Sequence, residues 1–177
     1  ELTARCANFA CSGQQFARIR HFTSTMEIDG LGEKLALALL QEELIKDGAD
    51  VYSLTKADLL GLDRMAEKSA SKILQSIQRS KDRPFSKVLF ALGIVHVGLE
   101  TAETLTRHLP SLNRLESATI DDLTAIPGIG PKIATSIVSF FQSQEAQDLL
   151  WKIRSAGLQL SHSFAKDDYG LPLDGIL

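Results

Sequence analysis

Lys132 stands two residues after Gly130 in the stretch Ile126-Pro127-Gly128-Ile129-Gly130-Pro131-Lys132-Ile133-Ala134. The chemistry this pattern suits is the capture of an anion rather than the making of a bond. Two glycines around one apolar residue allow a tight turn and close approach of another backbone. Pro131 fits the first position of a helix, where a missing N–H costs nothing. The unpaired N–H groups at that helix start lie at its positive end and suit a phosphate oxygen, and Lys132 adds a full charge in the first turn. Ile129 is expected to turn back into the core and brace the loop. For one copy, an ordinary tight turn between packed helices explains the pattern equally well. The weight lies in its recurrence.

With Gly32, Ala66, Gly98 and Gly130 in register, four copies stand 34, 32 and 32 residues apart. Alanine follows four positions later in each (Ala36, Ala70, Ala102, Ala134), where a small residue lets the second helix pack close to its partner. An apolar anchor precedes by four (Ile28, Leu62, Ile94, Ile126), and the residue just before the register position is Leu31, Met65, Val97 or Ile129. Two positions after it stand Lys34, Lys68, Glu100 and Lys132. Core packing explains the alanines and anchors. It does not readily explain the lysines, whose plain alternative is a solvated helix face. Copies 1 and 4 keep both glycines and the lysine and are expected to make the best backbone contacts. Copy 2 reads Arg64-Met65-Ala66, so it lacks glycine but keeps Lys68 and gains Arg64. Copy 3 has His96 and Glu100 in the glycine and lysine places and is expected to be at least half structural. The candidate phosphate-holding residues are Gly30, Gly32, Lys34, Arg64, Lys68, Gly98, Gly128, Gly130 and Lys132.

The elements that must position these residues read as helices throughout, so the expected class is all-α. Apolar residues recur at helical spacing in Ile73-Leu74-Ile77, in Phe85 to Leu92, in Ile137-Val138 and in Leu149-Leu150-Ile153. Trp151 lies beside the last stripe and reads as core or edge packing rather than a base-stacking platform. Thr55/Asp58 and Thr119/Asp122 have capping-box-like spacing, with an acid shorter than the usual Glu. Leu59 and Leu123 each precede the register residue by seven, so copies 1 and 2, and copies 3 and 4, form two duplicated units. The polar break Lys81-Asp82-Arg83-Pro84 is the best internal boundary.

The chain of 177 residues, 44% hydrophobic with a formal charge of −3, describes a soluble globular protein without a broad basic surface. Any nucleic-acid contact must then be local. No apolar run approaches a membrane span, no signal-peptide pattern is present, and a reducing cytoplasm is the expected location. The start at Glu1-Leu2-Thr3, without an initiator Met, points to a fragment of a longer protein. Cys6 and Cys11 form a C-x4-C pair that can supply two thiolates to zinc; two free thiols or a local disulfide are equally open, and His21 is the nearest further ligand. Asp29-Gly30 brushes against the K-x-D-G signature of nucleotidyl transfer, but Glu27 stands where the lysine must be. No nucleophile has a partnered base, so no catalytic residue is assigned.

Together these residues resemble helix-hairpin-helix repeats, and their order resembles the C-terminal half of the bacterial NAD-dependent DNA ligases. The matching stretches are Arg5-Cys6 with Cys11, His21-Phe22, Ile28-Asp29-Gly30-Leu31-Gly32, Glu67-Lys68-Ser69-Ala70, Ala91-Leu92-Gly93-Ile94 with Val97-Gly98, and Ile126 to Gly130. The resemblance covers residues 1 to about 160. It implies two helix-hairpin-helix pairs, at 23–80 and 81–160, after the C-terminal half of a zinc finger at 1–22, with 161–177 a linker entering a BRCT-like domain. Cys6 and Cys11 would be the last two ligands of a four-cysteine zinc site. The intact enzyme, using NAD and magnesium, would seal nicks in replication and repair. NAD adenylates a lysine, AMP passes to the 5′-phosphate, and the 3′-hydroxyl attacks. That lysine, the NAD-recognition domain and the OB-fold belong to other domains of the same polypeptide, so the fragment is expected to be non-catalytic. Its implied role is to grip double-stranded, nicked DNA, mainly across the minor groove, without reading sequence.

Two other functions fit the residues. One is a helix-hairpin-helix module of another repair or recombination factor. The other is a helical protein-interaction module, which the net acidity and the weakened copies 2 and 3 favour.

Overall fold

The computed structural model describes residues 12–161; Cys6, Cys11 and all but the first residue of the expected linker lie outside the described residues. Among the described residues every regular element is helical. The first unit runs α1 (Ser12–Thr25), α2 (Glu33–Gln41), a 3-10 turn (Gly48–Ser53), α3 (Lys56–Leu60) and α4 (Glu67–Ser80). The second runs α5 (Phe85–Ala91), α6 (Leu99–His108), α7 (Leu112–Ser117), α8 (Ile120–Thr124), α9 (Pro131–Gln142) and α10 (Gln144–Ala156). The two thus repeat one plan (helix, hairpin, helix, short connector, short helix, hairpin, long helix), to which the second adds α10.

Local chemistry sets these bounds. α3 and α8 both open with a reciprocal capping box. Thr55 Oγ1 accepts from the Asp58 N–H at 3.2 Å while Asp58 Oδ2 accepts from the Thr55 N–H at 2.9 Å. The Thr119/Asp122 pair repeats this at 3.1 and 2.9 Å. Aspartate is therefore long enough to close the box here. The amide of Thr119 holds the Asp122 carboxyl below the usual carboxylate range. α4 buries Ala70, Ile73 and Ile77 on one stripe and ends before the Lys81–Pro84 break.

The boundary drawn at residue 22 falls inside α1. This helix buries Ile19 and Phe22, Met26 just past its end continues the stripe, and a Cβ built at Gly48 would lie 2.3 Å from Phe22 Cγ. Residues 12–22 therefore pack as the opening helix of the first unit.

A single core cluster crosses the break at 81–84. α1 packs on α5, where His21 Nε2 donates to the Phe90 carbonyl at 2.7 Å and the two rings meet edge to face at 4.7 Å. Glu27, two residues past the end of α1, holds Lys87 at 3.0 Å and Arg83 at 3.1 Å. From the other end of the chain, Lys152 on α10 reaches Asp47 at 2.7 Å and Asp50 at 2.9 Å beside the 3-10 turn. Burial works against the Lys152 charge, but the two carboxylates outweigh it and hold its pKa above the ordinary lysine value.

The register alanines Ala36, Ala70, Ala102 and Ala134 are all 0% exposed. Ala134→Leu is expected to force its helix off its partner and lower unfolding free energy by about 1–3 kcal/mol in denaturant titration. The Glu27 clasp gives a pH test. The hydrogen bond from Lys87, followed by the charges of Arg83 and Lys87, depresses the Glu27 pKa. A depressed folded pKa gives stability that is present above the unfolded value and lost as pH falls through the folded one. The melting-temperature gap between wild type and Glu27→Gln should therefore be constant above about pH 5 and close on further acidification.

Candidate nucleic-acid interface

Each register residue is the N-cap of the helix that leaves its hairpin. The φ and ψ angles are −81° and −170° at Gly32, −86° and 157° at Ala66, −86° and −178° at Gly98, and −86° and 175° at Gly130. Each cap carbonyl accepts from the amide of the register alanine, at 2.9, 2.9, 2.9 and 3.0 Å. Two positions before the cap, every copy turns left-handed, with φ 85° at Gly30, 61° at Arg64, 68° at His96 and 90° at Gly128. The missing glycine of copy 2 therefore does not change its hairpin. Arg64 and His96 hold the backbone shape that Gly30 and Gly128 adopt freely, at an expected cost of about 1–2 kcal/mol each.

The apolar residue between these two positions does brace the loop: Leu31, Val97 and Ile129 are buried and Met65 is half-buried. The first hairpin is further tied down. The Asp29 N–H donates to Ser76 Oγ on α4 at 2.7 Å, and Arg20 Nη1 donates to the Leu31 carbonyl at 3.2 Å.

What the hairpins leave open is the feature that bears on function. Asp47, Thr55, Ser111, Thr119 and Ser143 all cap their helices with a side-chain oxygen. Gly32, Ala66, Gly98 and Gly130 give no side-chain cap. The first amides of α2, α4, α6 and α9 consequently meet no capping side chain, at the positive ends of their helices. The glycines sharpen the point. At Gly30 a Cβ would lie 2.9 Å from Ile73 Cγ1, so glycine there serves the fold. At Gly32, Gly98 and Gly130 the backbone is extended and a Cβ would meet no atom within 4 Å. Neither a steric contact nor a positive φ requires glycine at those three positions, whereas close approach by an external backbone does.

Lys34, Arg64, Lys68 and Lys132 are exposed and make no ion pair or side-chain hydrogen bond among the described residues. Three of these sit in the first turn of a helix, where the dipole favours acids over cations. In copy 3 that place holds Glu100, and the exposed tip residue is Val95. Two open features were not expected from the sequence. A depression of about 660 Å³ between the first two hairpins is lined by Gly30, Arg64, Lys72, Gln75 and Arg79 among others. Trp151 is 69% exposed rather than packed: α10 buries Ala146, Leu150 and Ile153, which turns Trp151 away from the core.

His21 spends Nε2 on Phe90, and among the described residues no group of three His, Cys, Asp or Glu could hold a metal. No described helix is long and apolar enough to cross a membrane.

Residues 22–79 match the family model of the SAM-like helix-hairpin-helix tandem, and residues 87–150 that of the helix-hairpin-helix motif. Curated relatives match across both. The DNA ligase of Anoxybacillus flavithermus is 43% identical over 168 residues, covering 94% of this chain and 25% of the relative. That of Symbiobacterium thermophilum is 45% identical over 164 residues, covering 90% and 24%. That of Natranaerobius thermophilus is 45% identical over 162 residues, covering 90% and 24%. The chain is a helix-hairpin-helix segment of the bacterial DNA ligase family. It spans about a quarter of the length of these relatives.

In this ligase segment the glycines divide by role, and stability measurements separate them. Gly128→Ala places a side chain at φ 90° and should destabilise by about 1–2 kcal/mol. Gly130→Ala meets open space at extended φ, and its gain through the unfolded state opposes alanine's poorer fit as an N-cap, so stability should change by less than about 1 kcal/mol. Chemical denaturation of the two variants checks both.

Proposed function

We propose that this chain holds the sugar-phosphate backbone of double-stranded DNA, without reading base sequence, as the gripping part of a DNA ligase. The observation that carries this is the set of uncapped hairpin N-termini, three of them built on glycines that no steric contact or positive φ requires. An amide row at a helix start fits a phosphate oxygen, and the missing Cβ lets that oxygen come close. Such contacts position a duplex without carrying sequence information, as a protein acting at any nick requires. The net charge of −3 is compatible, because backbone amides and a few placed cations supply the attraction locally. Gly30 and Gly128 set the turns, Gly32, Gly98 and Gly130 admit the backbone, and Lys34, Arg64, Lys68 and Lys132 supply the charge.

Within the whole enzyme, nick sealing in replication and repair, with NAD and magnesium, would be the work of other domains of the polypeptide. Glu27, in the place a nucleophilic lysine would need, is an ion-pair partner of Arg83 and Lys87. Zinc fits this chain only as a half-site of Cys6 and Cys11, since His21 is already engaged with Phe90 and two further thiolates must come from elsewhere in the polypeptide. Such a ligase would work in the cytoplasm. The exposed Trp151 favours a second reading, a protein-interaction face on α10.

Titration onto nicked and intact duplexes of unrelated sequence separates the two readings. Gly130→Val combined with Lys132→Glu should weaken duplex binding about tenfold or more with helicity unchanged by circular dichroism. Lys68→Glu should weaken it more than Glu100→Ala. Binding that ignores all of these and responds only to Trp151→Ala would replace the backbone grip with the interaction face.

A further inference from the structure

We propose that α4 is itself a phosphate-binding element, in which Lys72 and Arg79 extend the grip of the first two hairpins along one DNA strand. The proposal rests on the backbone-holding function and assigns to it two residues outside any hairpin. Lys68, Lys72, Gln75 and Arg79 follow one another at steps of four, three and four, so they share one face of α4, and all four are exposed. None of the three cations has an ion pair or a side-chain hydrogen bond among the described residues. The one acid on the helix, Glu67, is taken by Lys56 at 2.7 Å.

The fold does not ask for this stripe. Lys68 and Lys72, four apart, repel by about 0.2–0.5 kcal/mol, and Lys68 in the first turn opposes the dipole; only Arg79, in the last turn, is favoured by it. The repeat does not ask for it either. The position of Lys72 is Ala38, Thr104 and Ser136 in the other copies, and that of Arg79 is Ile45, Ser111 and Ser143. The charges have therefore accumulated in the one copy whose cap, Ala66, carries a Cβ and cannot admit a backbone as closely as glycine does.

Their place is also specific. Lys72, Gln75 and Arg79 line the depression of about 660 Å³ that Gly30 of the first hairpin and Arg64 of the second share, and Asp29 is the one acid among its lining residues. From Lys68 to Arg79 the helix rises about 16 Å, enough to face about five phosphates of one strand. Short contacts through amides at the first hairpin and long, flexible side chains on α4 would thus follow one backbone.

The test measures duplex affinity of the 177-residue chain against salt concentration. Lys72→Ala with Arg79→Ala should bind several-fold more weakly at low salt. It should also lower the slope of log affinity on log salt by about 2, one per lost phosphate contact. Alanine is a strong helix former and Lys72→Ala removes repulsion from Lys68, which offsets the loss of the Arg79 charge from the last turn, so the melting temperature should change little. Lys46→Ala with Arg114→Ala removes the same charge from two exposed, unpaired positions outside the depression and should leave the slope unchanged. An unchanged slope in the α4 variant, or an equal drop in the control, overturns the assignment. If Gly130→Val with Lys132→Glu still loses binding in that case, the hairpin function stands and only α4 is misassigned. If the wild-type chain fails to bind duplex at low salt, both fall.

Discussion

Four buried alanines set the geometry on which everything else here depends. Each accepts no side-chain volume, lies at 0% exposure, and gives its amide to the carbonyl of the cap residue four positions earlier. The tight approach of the paired helices leaves the hairpin no room except outward. The cap and the left-handed residue before it are therefore pushed to the surface in all four copies, with the apolar residue between them turned inward. A cap residue pressed outward with no hydroxyl or carboxylate of its own leaves the helix start to whatever approaches. At the 3-10 turn and at α3, α7, α8 and α10, Asp, Thr or Ser closes the same amides internally; α5, which starts behind Pro84, also has no side-chain cap.

The duplication is less symmetric in chemistry than in shape. Hairpin backbones agree within about the scatter of a regular element, yet their side chains diverge. Copies 1 and 4 offer glycine and one lysine, copy 3 offers Glu100 and an exposed Val95, and copy 2 trades glycine for cations on a long helix. The clasp of α1 on α5 and of Lys152 on Asp47 and Asp50 joins the units into one core, so the four surfaces are held in fixed relation. A grip assembled from individually weak points gains from that rigidity, since binding at one point brings the next into reach.

Much of this was legible because it is local. The alanine four after the cap, the apolar anchor four before it and the Thr/Asp box are each decided within one turn of chain, and each is where the repeat puts it. What was not legible depends on contacts remote in sequence or on backbone shapes without a residue signature. Arg64 and His96 turn left-handed although neither is glycine, so the spelling of copy 2 and copy 3 understates how regular their hairpins are. The extent of α1 was hidden because the Cys6/Cys11 pair draws residues 1–22 toward a metal site, while the stripe Ile19, Phe22, Met26 straddles that boundary. Trp151 follows the buried Leu150 and precedes the buried Ile153 by two, and only the rotation of α10 shows that it faces solvent. The stripe on α4 was visible at helical spacing, but its meaning needs the depression that places it beside Gly30 and Arg64.

The most direct measurement is a residue-resolved amide titration of the isotope-labelled chain with a short duplex, followed by NMR. The uncapped starts of α2 and α9 (the amides of Glu33, Lys34, Lys132 and Ile133) should shift most and lose the effect in high salt. The capped starts of α3 and α8 should stay still. Shifts confined to α10 around Trp151, with the hairpin amides unmoved, would contradict a grip built on open helix N-termini.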